Sequence, residues 1–264
     1  MCSFFCASFG CYNIEKVDIA LISNIINYIY CINLHIWYNL IVGSDDMKLI
    51  GINRNIYYLI NILSVIIGII YINTNFKKKI NKKKILLYNI LYFSFSVIFG
   101  ILYTYILYKK TTLSSYGGLI GVILAAILFE KIIPQNKKII KYTIISLPLV
   151  YAITKLACLL AGCCQGFIYN GPLALKYPNI NNESYFPIQI IEIILFIILF
   201  IYSNKNKNIK NIEFKTLILI SLSKYILDYF RLYHINKIIT KNQIFSIILL
   251  IITFYIYKKT NQND

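Results

Sequence analysis

The sequence has few arginines, few acidic residues and little charge of any kind. Of its 264 residues only Arg54 and Arg231 are arginines, and ten are Asp or Glu against 27 Lys or Arg. Charged residues make up 14% of the chain and hydrophobic residues 58%, whereas a soluble domain is nearer a quarter charged. The scarcity of charge therefore excludes an ordinary soluble domain of this length.

A basic surface of the kind that binds nucleic acid is also missing. The net charge is +17, but the lysines stand in short clusters between apolar runs. A nucleic-acid interface needs its basic residues along one folded face. We therefore expect no nucleic-acid partner.

Histidine is scarce, and the cysteines are unevenly placed. His35 and His234 are isolated, and the seven cysteines are Cys2, Cys6, Cys11, Cys31, Cys158, Cys163 and Cys164. No cysteine or histidine cluster at zinc spacing follows either group, so the sequence predicts no metal site and no cofactor. Two interpretations of the adjacent Cys163 and Cys164 stay open: small apolar filler, or a redox pair on the external side.

The first 46 residues differ from the rest. They lack the basic beginning of a signal peptide, because the first lysine is Lys16. We treat residues 1–46 as an uncertain N-terminal extension and leave the Asn-rich apolar segment 17–42 unassigned. Met47 is a candidate start, and residues 47–264 are predicted to form a single transmembrane domain.

Long apolar runs recur through this domain, and the mean hydropathy of the chain is +0.65. A helix needs about 20 apolar residues to cross the hydrocarbon core, and in lipid only helices satisfy every backbone group within such runs. The sequence predicts an all-α integral membrane protein with about seven transmembrane helices. The predicted spans are 55–73, 85–108, 117–133, 139–161, 186–203, 214–233 and 243–257.

Lysines predict the orientation of these spans. Sixteen lysines stand in the connections 74–84, 131–141 and 204–215 and in the C-terminal tail, against five in the alternate connections. Because cytoplasmic connections are enriched in lysine, we expect the N-terminus outside and the C-terminus in the cytoplasm.

Five charged residues lie inside the predicted spans, where each ionised group costs roughly 2.5–3.5 kcal/mol. They are Lys155, Glu192, Lys224, Asp228 and Arg231. Helical spacing predicts that Lys224, Asp228 and Arg231 share one face of span six, and Lys155 is near enough to the outer end of span four to extend to the interface. Two interpretations fit: a self-neutralising structural cluster, or a cationic pocket near the outer leaflet that holds an anionic headgroup.

Glycine pairs stand at the outer ends of two spans. Gly117 and Gly121 open span three, and this small-residue step predicts close approach of another helix or of lipid. Gly162 and Gly166 follow span four, where they either open one flank of the helix or mark its end.

Five segments resemble, in the same order, motifs of the prolipoprotein diacylglyceryl transferase family. Tyr116 to Gly121 resembles the family's His-Gly-Gly-Leu-Ile-Gly, and Lys155 to Gly166 resembles Arg-Leu-Gly-Asn-Phe-x-Asn-Gly-Glu-x-x-Gly. Three further segments are similar to His-Pro-Ser-Gln-Leu-Tyr-Glu, to Arg-x-x-x-Glu-Phe-x-Arg and to Gln-x-x-Ser; they are Phe186 to Glu192, Lys224 to Arg231 and Gln243 to Ser246. The resemblance covers residues 55–257.

The resemblance implies transfer of a diacylglyceryl group from phosphatidylglycerol to the cysteine thiol of a prolipoprotein, in the bacterial inner membrane. The implied partners are phosphatidylglycerol, the signal peptide of a lipoprotein precursor and membrane lipid. The implied catalytic residues are Tyr116, Lys155, Lys224 and Asp228. The implied substrate-binding residues are Gly117, Gly118, Gly162, Gly166, Gln189, Glu192 and Arg231.

The resemblance also implies a role for each charge. The three cations hold the phosphate, and Asp228 and Glu192 orient them. Tyr116, or Tyr57 in span one, is then the polar group near the reacting thiol.

The sequence departs from the family's pattern at several polar positions. The family's two histidines, signature arginine, two asparagines and signature glutamate are here Tyr116, Phe186, Lys155, Cys158, Ala161 and Cys163. Its span-six arginine and glutamate are Lys224 and Asp228. An ammonium group does not clamp phosphate with two parallel donors as a guanidinium does. Two alternatives follow: a catalytically altered member that binds lipid or has another role, and a thiol-redox protein.

Overall fold

The structure is a computed structural model that describes residues 54–76, 82–133, 139–177, 183–235 and 237–262. The predicted extension 1–46 and the unassigned segment 17–42 lie outside these residues. The described residues form seven α-helices and two short β-strands. The helices are α1 (Arg54–Phe76), α2 (Lys82–Tyr108), α3 (Ser115–Ile132), α4 (Ile139–Ala161), α5 (Ile188–Lys205), α6 (Ile212–Asp228) and α7 (Lys241–Gln262). The strands are β1 (Leu175–Lys176) and β2 (Ser184–Tyr185).

The all-helical membrane architecture predicted from the apolar runs is confirmed. All helices except α6 are long and apolar enough to cross a membrane, and α4 begins and ends at the predicted residues 139 and 161. Helix α6 has 17 residues and ends at Asp228, so the predicted end at residue 233 is wrong. The chain turns there, and Arg231 is extended, with φ −93° and ψ 145°.

Helix α4 is the central helix of the bundle. It contacts α1, α3, α5 and α6, and most of its residues are buried, including Ile145, Ala152 and Ala157, although Leu156 and Leu160 near its end are exposed. A helix that is apolar on all sides is expected at such a central position. The charged Lys155 on its last turns is therefore held inside the protein.

The two ends of the bundle differ in character. The α2–α3, α4–α5 and α6–α7 connections meet at one end, here called the site end. There, for example, Lys241 Nζ donates to the Leu107 carbonyl at 2.8 Å. The described helix ends that flank the lysine-rich connections lie at the opposite end, where Lys141 Nζ donates to the Ile209 carbonyl at 3.3 Å and Lys207 Nζ donates to Asn75 Oδ1 at 3.1 Å. This grouping is the one that the lysine pattern predicts.

Helix α3 lies unusually close to α2, as its small-residue step predicts. A Cβ atom on Gly117 would meet the Phe99 carbonyl and lie 2.7 Å from Tyr103 Cβ. A Cβ atom on Gly121 would meet the Phe95 carbonyl. The two helices can approach this closely because Gly117 and Gly121 have no side chains. The close contact places the first turn of α3 toward the interior of the site end.

A backbone turn ends α4 and begins the long connection to α5. Gly162 has φ 68°, and the N–H groups of Gly162 and Cys163 donate to the carbonyls of Leu159 and Cys158 at 3.3 and 3.1 Å. This is the hydrogen-bond pattern of a Schellman turn, in which the left-handed residue is usually glycine. Of the two interpretations of this glycine pair, the helix end is the one observed at Gly162.

The α4–α5 and α6–α7 connections are paired with each other. Strands β1 and β2 form an antiparallel hairpin, and isolated bridges join Gly166 to Arg231 and Ile168 to Tyr185. A Cβ atom on Gly166 would meet the backbone of Phe186. The two connections thus make one small platform that holds Arg231 over the bundle.

Candidate functional site

Glu192 is the centre of a buried charge cluster at the site end. Its Oε1 lies 2.5 Å from Arg231 Nη2, and its Oε2 lies 3.3 Å from Lys155 Nζ. The Tyr151 hydroxyl donates to Oε1 at 3.1 Å. All four side chains are buried, so one carboxylate from α5 joins two cations from α4 and from the α6–α7 connection. Lys155 does not extend to the interface, and that expectation is wrong.

Asp228 neutralises a different part of the cluster. It accepts hydrogen bonds from the Tyr233 and Thr240 hydroxyls, and its Oδ1 lies 3.6 Å from Arg231 Nε. Burial raises the pKa of Tyr233, although Arg231 opposes the effect; the phenol therefore remains a donor to Asp228. Because α6 ends at Asp228, the predicted helical face shared by Lys224, Asp228 and Arg231 does not exist. The platform, rather than helical spacing, brings Arg231 to the carboxylate.

Lys224 has no such partner. Its side chain is 3% exposed, and its Nζ lies 3.8 Å from the centre of the Tyr116 ring and 4.1 Å from that of Tyr151. Among the described residues, none hydrogen-bonds this nitrogen and no carboxylate lies within ion-pair distance of it. Aromatic faces attract a cation, but they do not neutralise it. Within the part of the chain that the structure describes, this buried amine therefore has no counter-ion.

These groups border a cavity of about 780 Å³. Its charged lining residues at the cluster are Lys155, Glu192, Lys224, Asp228 and Arg231. Deeper in the bundle the lining is apolar, with Val97, Leu119, Val122, Leu147 and Phe196 among its residues. Lys237 and Lys241 line the cavity as well, so five basic side chains stand against two carboxylates and the lining has an excess of positive formal charge. Such a space fits an amphiphile with an anionic head.

Tyr116 stands where α3 begins, beside Lys224. Its hydroxyl is 3.2 Å from Ser246 Oγ on α7, and its ring stacks on Tyr103 with 6.0 Å between the ring centres. Tyr57 also lines the cavity. Tyr116 is thus fixed by its neighbours and forms one wall of the space around the unpaired cation.

The glycines predicted to bind substrate have different environments. Gly118 lines the cavity, whereas Gly117 faces α2. Gly162 ends α4, and Gly166 pairs with Arg231. Of this set the structure brings only Gly118 to the cavity wall; the others shape the helices and connections around it.

Two buried glutamines hold the platform in place. Gln189 Nε2 donates to the Cys163 carbonyl at 2.8 Å and to the Tyr177 hydroxyl at 3.1 Å. Burial raises the pKa of Tyr177 to about 12. Gln243 Oε1 accepts from the Thr240 N–H at 2.9 Å, while the Gln243 N–H donates to Thr240 Oγ1 at 3.1 Å. Gln189 is therefore a positioning residue, since it contacts the α4–α5 connection rather than the cavity.

Sequence reasoning missed three residues of the site. Tyr151 forms one wall of the Lys224 pocket, and Tyr233 and Thr240 bind Asp228. Thr240 and Gln243 form a capping box at the start of α7, and this Thr-x-x-Gln pattern is a signal that the sequence does contain. For Tyr151 and Tyr233 no comparable signal exists, since tyrosines are abundant throughout the chain.

Three thiols gather where α4 ends. The sulfur atoms of Cys158, Cys163 and Cys164 lie within 4.8 Å of one another, and all three thiols are free. The neighbouring thiols, followed by the charges of Lys155 and Arg231, hold the pKa of Cys164 well below its usual value. The sequence predicted a possible pair of Cys163 and Cys164 only. The Schellman turn brings Cys158 next to them, so that the group has three thiols.

The arrangement is suited to binding and stabilising an anion. Lys155 and Arg231 share one carboxylate, Lys224 has none among the described residues, and all three side chains are buried. Fixed charges in such a setting stabilise a negative charge that develops during a reaction more strongly than mobile solvent does.

Comparison with known proteins places the chain in one family. The family model of the prolipoprotein diacylglyceryl transferases matches residues 47–258, and no curated protein matches the chain significantly. The matched range includes all seven described helices up to residue 258. It also includes every charged residue of the cluster. This multi-pass membrane protein, with a fold that fits the bacterial inner membrane, therefore belongs to the prolipoprotein diacylglyceryl transferase family.

Proposed function

We propose that this protein transfers a diacylglyceryl group from phosphatidylglycerol to the cysteine thiol of a lipoprotein precursor. Its family consists of transferases of lipoprotein biosynthesis, and phosphatidylglycerol is the donor that the site favours. This lipid has two acyl chains, which suit the apolar depth of the cavity, and one phosphate, which suits its cationic end.

The unpaired Lys224 is the observation that carries this proposal. In the reaction a sulfur–carbon bond forms between the thiol and the diacylglyceryl carbon, and the carbon–oxygen bond to phosphate breaks. Glycerol phosphate leaves with the bonding electrons, and the thiol proton is released. The phosphate changes from one negative charge to two, so a fixed cation without a counter-ion stabilises the leaving group more than the bound lipid.

The other groups of the site complete this assignment. Lys155 and Arg231 add positive charge beside the phosphate, and Glu192 holds both in position. Asp228 fixes Arg231 from the other side. Tyr116 acts by position, because a phenol with an ordinary pKa near 10 is a poor base at neutral pH.

The orientation suits a substrate at the outer leaflet. We infer that the N-terminus is outside, the C-terminus is cytoplasmic and the site end faces the exterior. The described helix ends that flank the lysine-rich connections lie at the opposite end of the bundle, and this supports the inference. We also infer that residues 47–264 form one transmembrane domain.

The activity is tested with purified protein, labelled phosphatidylglycerol and a lipobox peptide. We expect a thioether product, and we expect Lys224→Met to lower its rate by about 100–1,000-fold because one charge-stabilising group is lost. Lys224→Arg keeps the charge and should retain more of the rate. Lys205→Met, an exposed lysine at the opposite end, is the matched control. No product above background with the unaltered protein would refute the proposal.

A second candidate function is lipid binding without transfer. The absence of histidine from the described cavity lining favours it, because Tyr116 is a weaker base than a histidine. In that case phosphatidylglycerol binds, Lys224→Met weakens this binding, and no thioether forms. Measuring lipid binding and product formation on the same preparation separates the two functions.

A further inference from the structure

The thiols of Cys158, Cys163 and Cys164 form a cluster that the charge site does not use. Cys158 lies on the last turn of α4 and is buried, Cys163 is half-buried and Cys164 is exposed. Their sulfur atoms lie within 4.8 Å of one another. The three sulfur atoms differ in their exposure to solvent, but they are close enough together to contact one ion.

The backbone around this cluster is shaped to make the thiols converge. The Schellman turn at Gly162 folds Cys163 back over Cys158. Cys164 then has φ 58°, a left-handed conformation that is costly for a residue with a side chain. Such a conformation persists only when the surroundings impose it.

Two side chains from other parts of the chain impose it here. Gln189 donates to the carbonyl of Cys163 at 2.8 Å, and Arg231 Nη1 donates to the carbonyl of Cys164 at 3.3 Å. The cluster is thus held from α5 and from the α6–α7 connection. The backbone that carries Cys163 and Cys164 is therefore fixed by contacts from outside its own segment.

We propose that Cys158, Cys163 and Cys164 bind one Zn²⁺ ion as three thiolate ligands. Zinc takes thiolate sulfur at about 2.3 Å in tetrahedral geometry, which places ligand sulfurs about 3.8 Å apart. The sulfurs observed within 4.8 Å need to close by only about 1 Å to meet that geometry. Lys155 and Arg231 stand beside them and offset the negative charge of a zinc tris-thiolate. The prediction of no metal site was based on the missing second cluster of cysteine or histidine, whereas three thiols of one segment are the ligands proposed here.

The fourth coordination position faces the cavity. Cys158 and Cys164 both line it, and zinc sites with three protein ligands keep the fourth position for water or substrate. If the proposed function holds, the acceptor cysteine of the lipoprotein precursor takes this position. A thiol bound to the metal loses its proton to solvent, and this would supply the nucleophile that Tyr116 does not generate.

Metal binding is tested on the full-length protein without any lipid substrate. The four other cysteines are first replaced (Cys2→Ser, Cys6→Ser, Cys11→Ser and Cys31→Ser), and the reduced protein is titrated with Zn²⁺ and with Cd²⁺. We expect one ion per chain and a sulfur-to-cadmium charge-transfer band in the near ultraviolet. Added lipobox peptide should strengthen that band as a fourth sulfur binds.

Single substitutions identify the ligands. Cys164→Ser, at an exposed position, should keep the fold and weaken Cd²⁺ binding by more than about 100-fold, since even outer-shell changes cost 10–100-fold. Cys158→Ser and Cys163→Ser should do the same. The proposal is overturned if the parent binds no stoichiometric ion, or if all three variants bind as the parent does. A band unchanged by the peptide, while transfer activity is present, overturns only the role of the fourth position.

Discussion

Lys155, Lys224 and Arg231 have the same charge, but their partners differ. Glu192 binds Lys155 and Arg231 and is 1% exposed, while Lys224 Nζ faces the rings of Tyr116 and Tyr151 and has no hydrogen-bond partner among the described residues. A shared buried carboxylate stabilises the fold, because removing one member of such a group leaves uncompensated charge. At the residue scale, Lys155 and Arg231 are therefore tied to a structural carboxylate, whereas Lys224 has no such tie among the described residues.

Glu192→Gln tests the structural half of this division. We expect the free energy of unfolding to fall by about 3–5 kcal/mol, because two buried cations lose their carboxylate. Denaturant unfolding in one detergent measures the change. Glu183→Gln removes an exposed carboxylate and should have little effect; equal losses for the two variants would contradict this account.

At the scale of elements, the α2–α3 contact decides where Tyr116 and the cavity wall lie. The apolar pattern predicts both helices but not their separation, which depends on the missing side chains of Gly117 and Gly121. The predicted close approach is confirmed here as a contact between two helices. The space beside Gly117 is therefore occupied by α2, not by lipid.

Two adjacent glycines provide a matched test of this contact. A Cβ atom on Gly117 would lie 2.8 Å from Gly100 Cα, whereas one on Gly118 has Ser96 O as its nearest neighbour, at 3.6 Å. We expect Gly117→Ala to lower the free energy of unfolding by about 1–3 kcal/mol, as overpacking does. Gly118→Ala should leave it nearly unchanged. Thermal unfolding of both variants measures the difference, and a larger loss for Gly118→Ala would argue against the observed packing.

At the scale of the whole molecule, the bundle has a lysine-rich end and a site end. The positive-inside rule requires the lysine-rich end to face the cytoplasm. In the orientation that we propose, anionic lipid and the acceptor cysteine would reach the charge cluster from the outer leaflet. The orientation of the bundle in the membrane therefore decides whether the substrates of the proposed reaction can reach the site.

Single cysteines at the two ends test this orientation. Ile238 lies at the site end and is 92% exposed, and Lys259 is exposed near the other end. The two variants are Ile238→Cys and Lys259→Cys. A membrane-impermeant thiol reagent should label Ile238→Cys in intact cells, above the labelling of the parent protein. It should label Lys259→Cys only after permeabilisation. The reverse pattern would place the site in the cytoplasm.

The amino-acid sequence determined the helices, the grouping of lysines at one end and the identity of the five charged residues. These follow from apolar runs and local spacing, which act over a few turns of one helix. Only the tertiary structure decided that Lys155 and Arg231 share Glu192, that Lys224 has no counter-ion among the described residues and that three thiols meet. These contacts join residues far apart in the chain, or depend on where a helix ends, and no periodicity encodes either. The early end of α6 is the clearest case. Because the helix ends at Asp228, Arg231 lies on the platform and not on the predicted helical face.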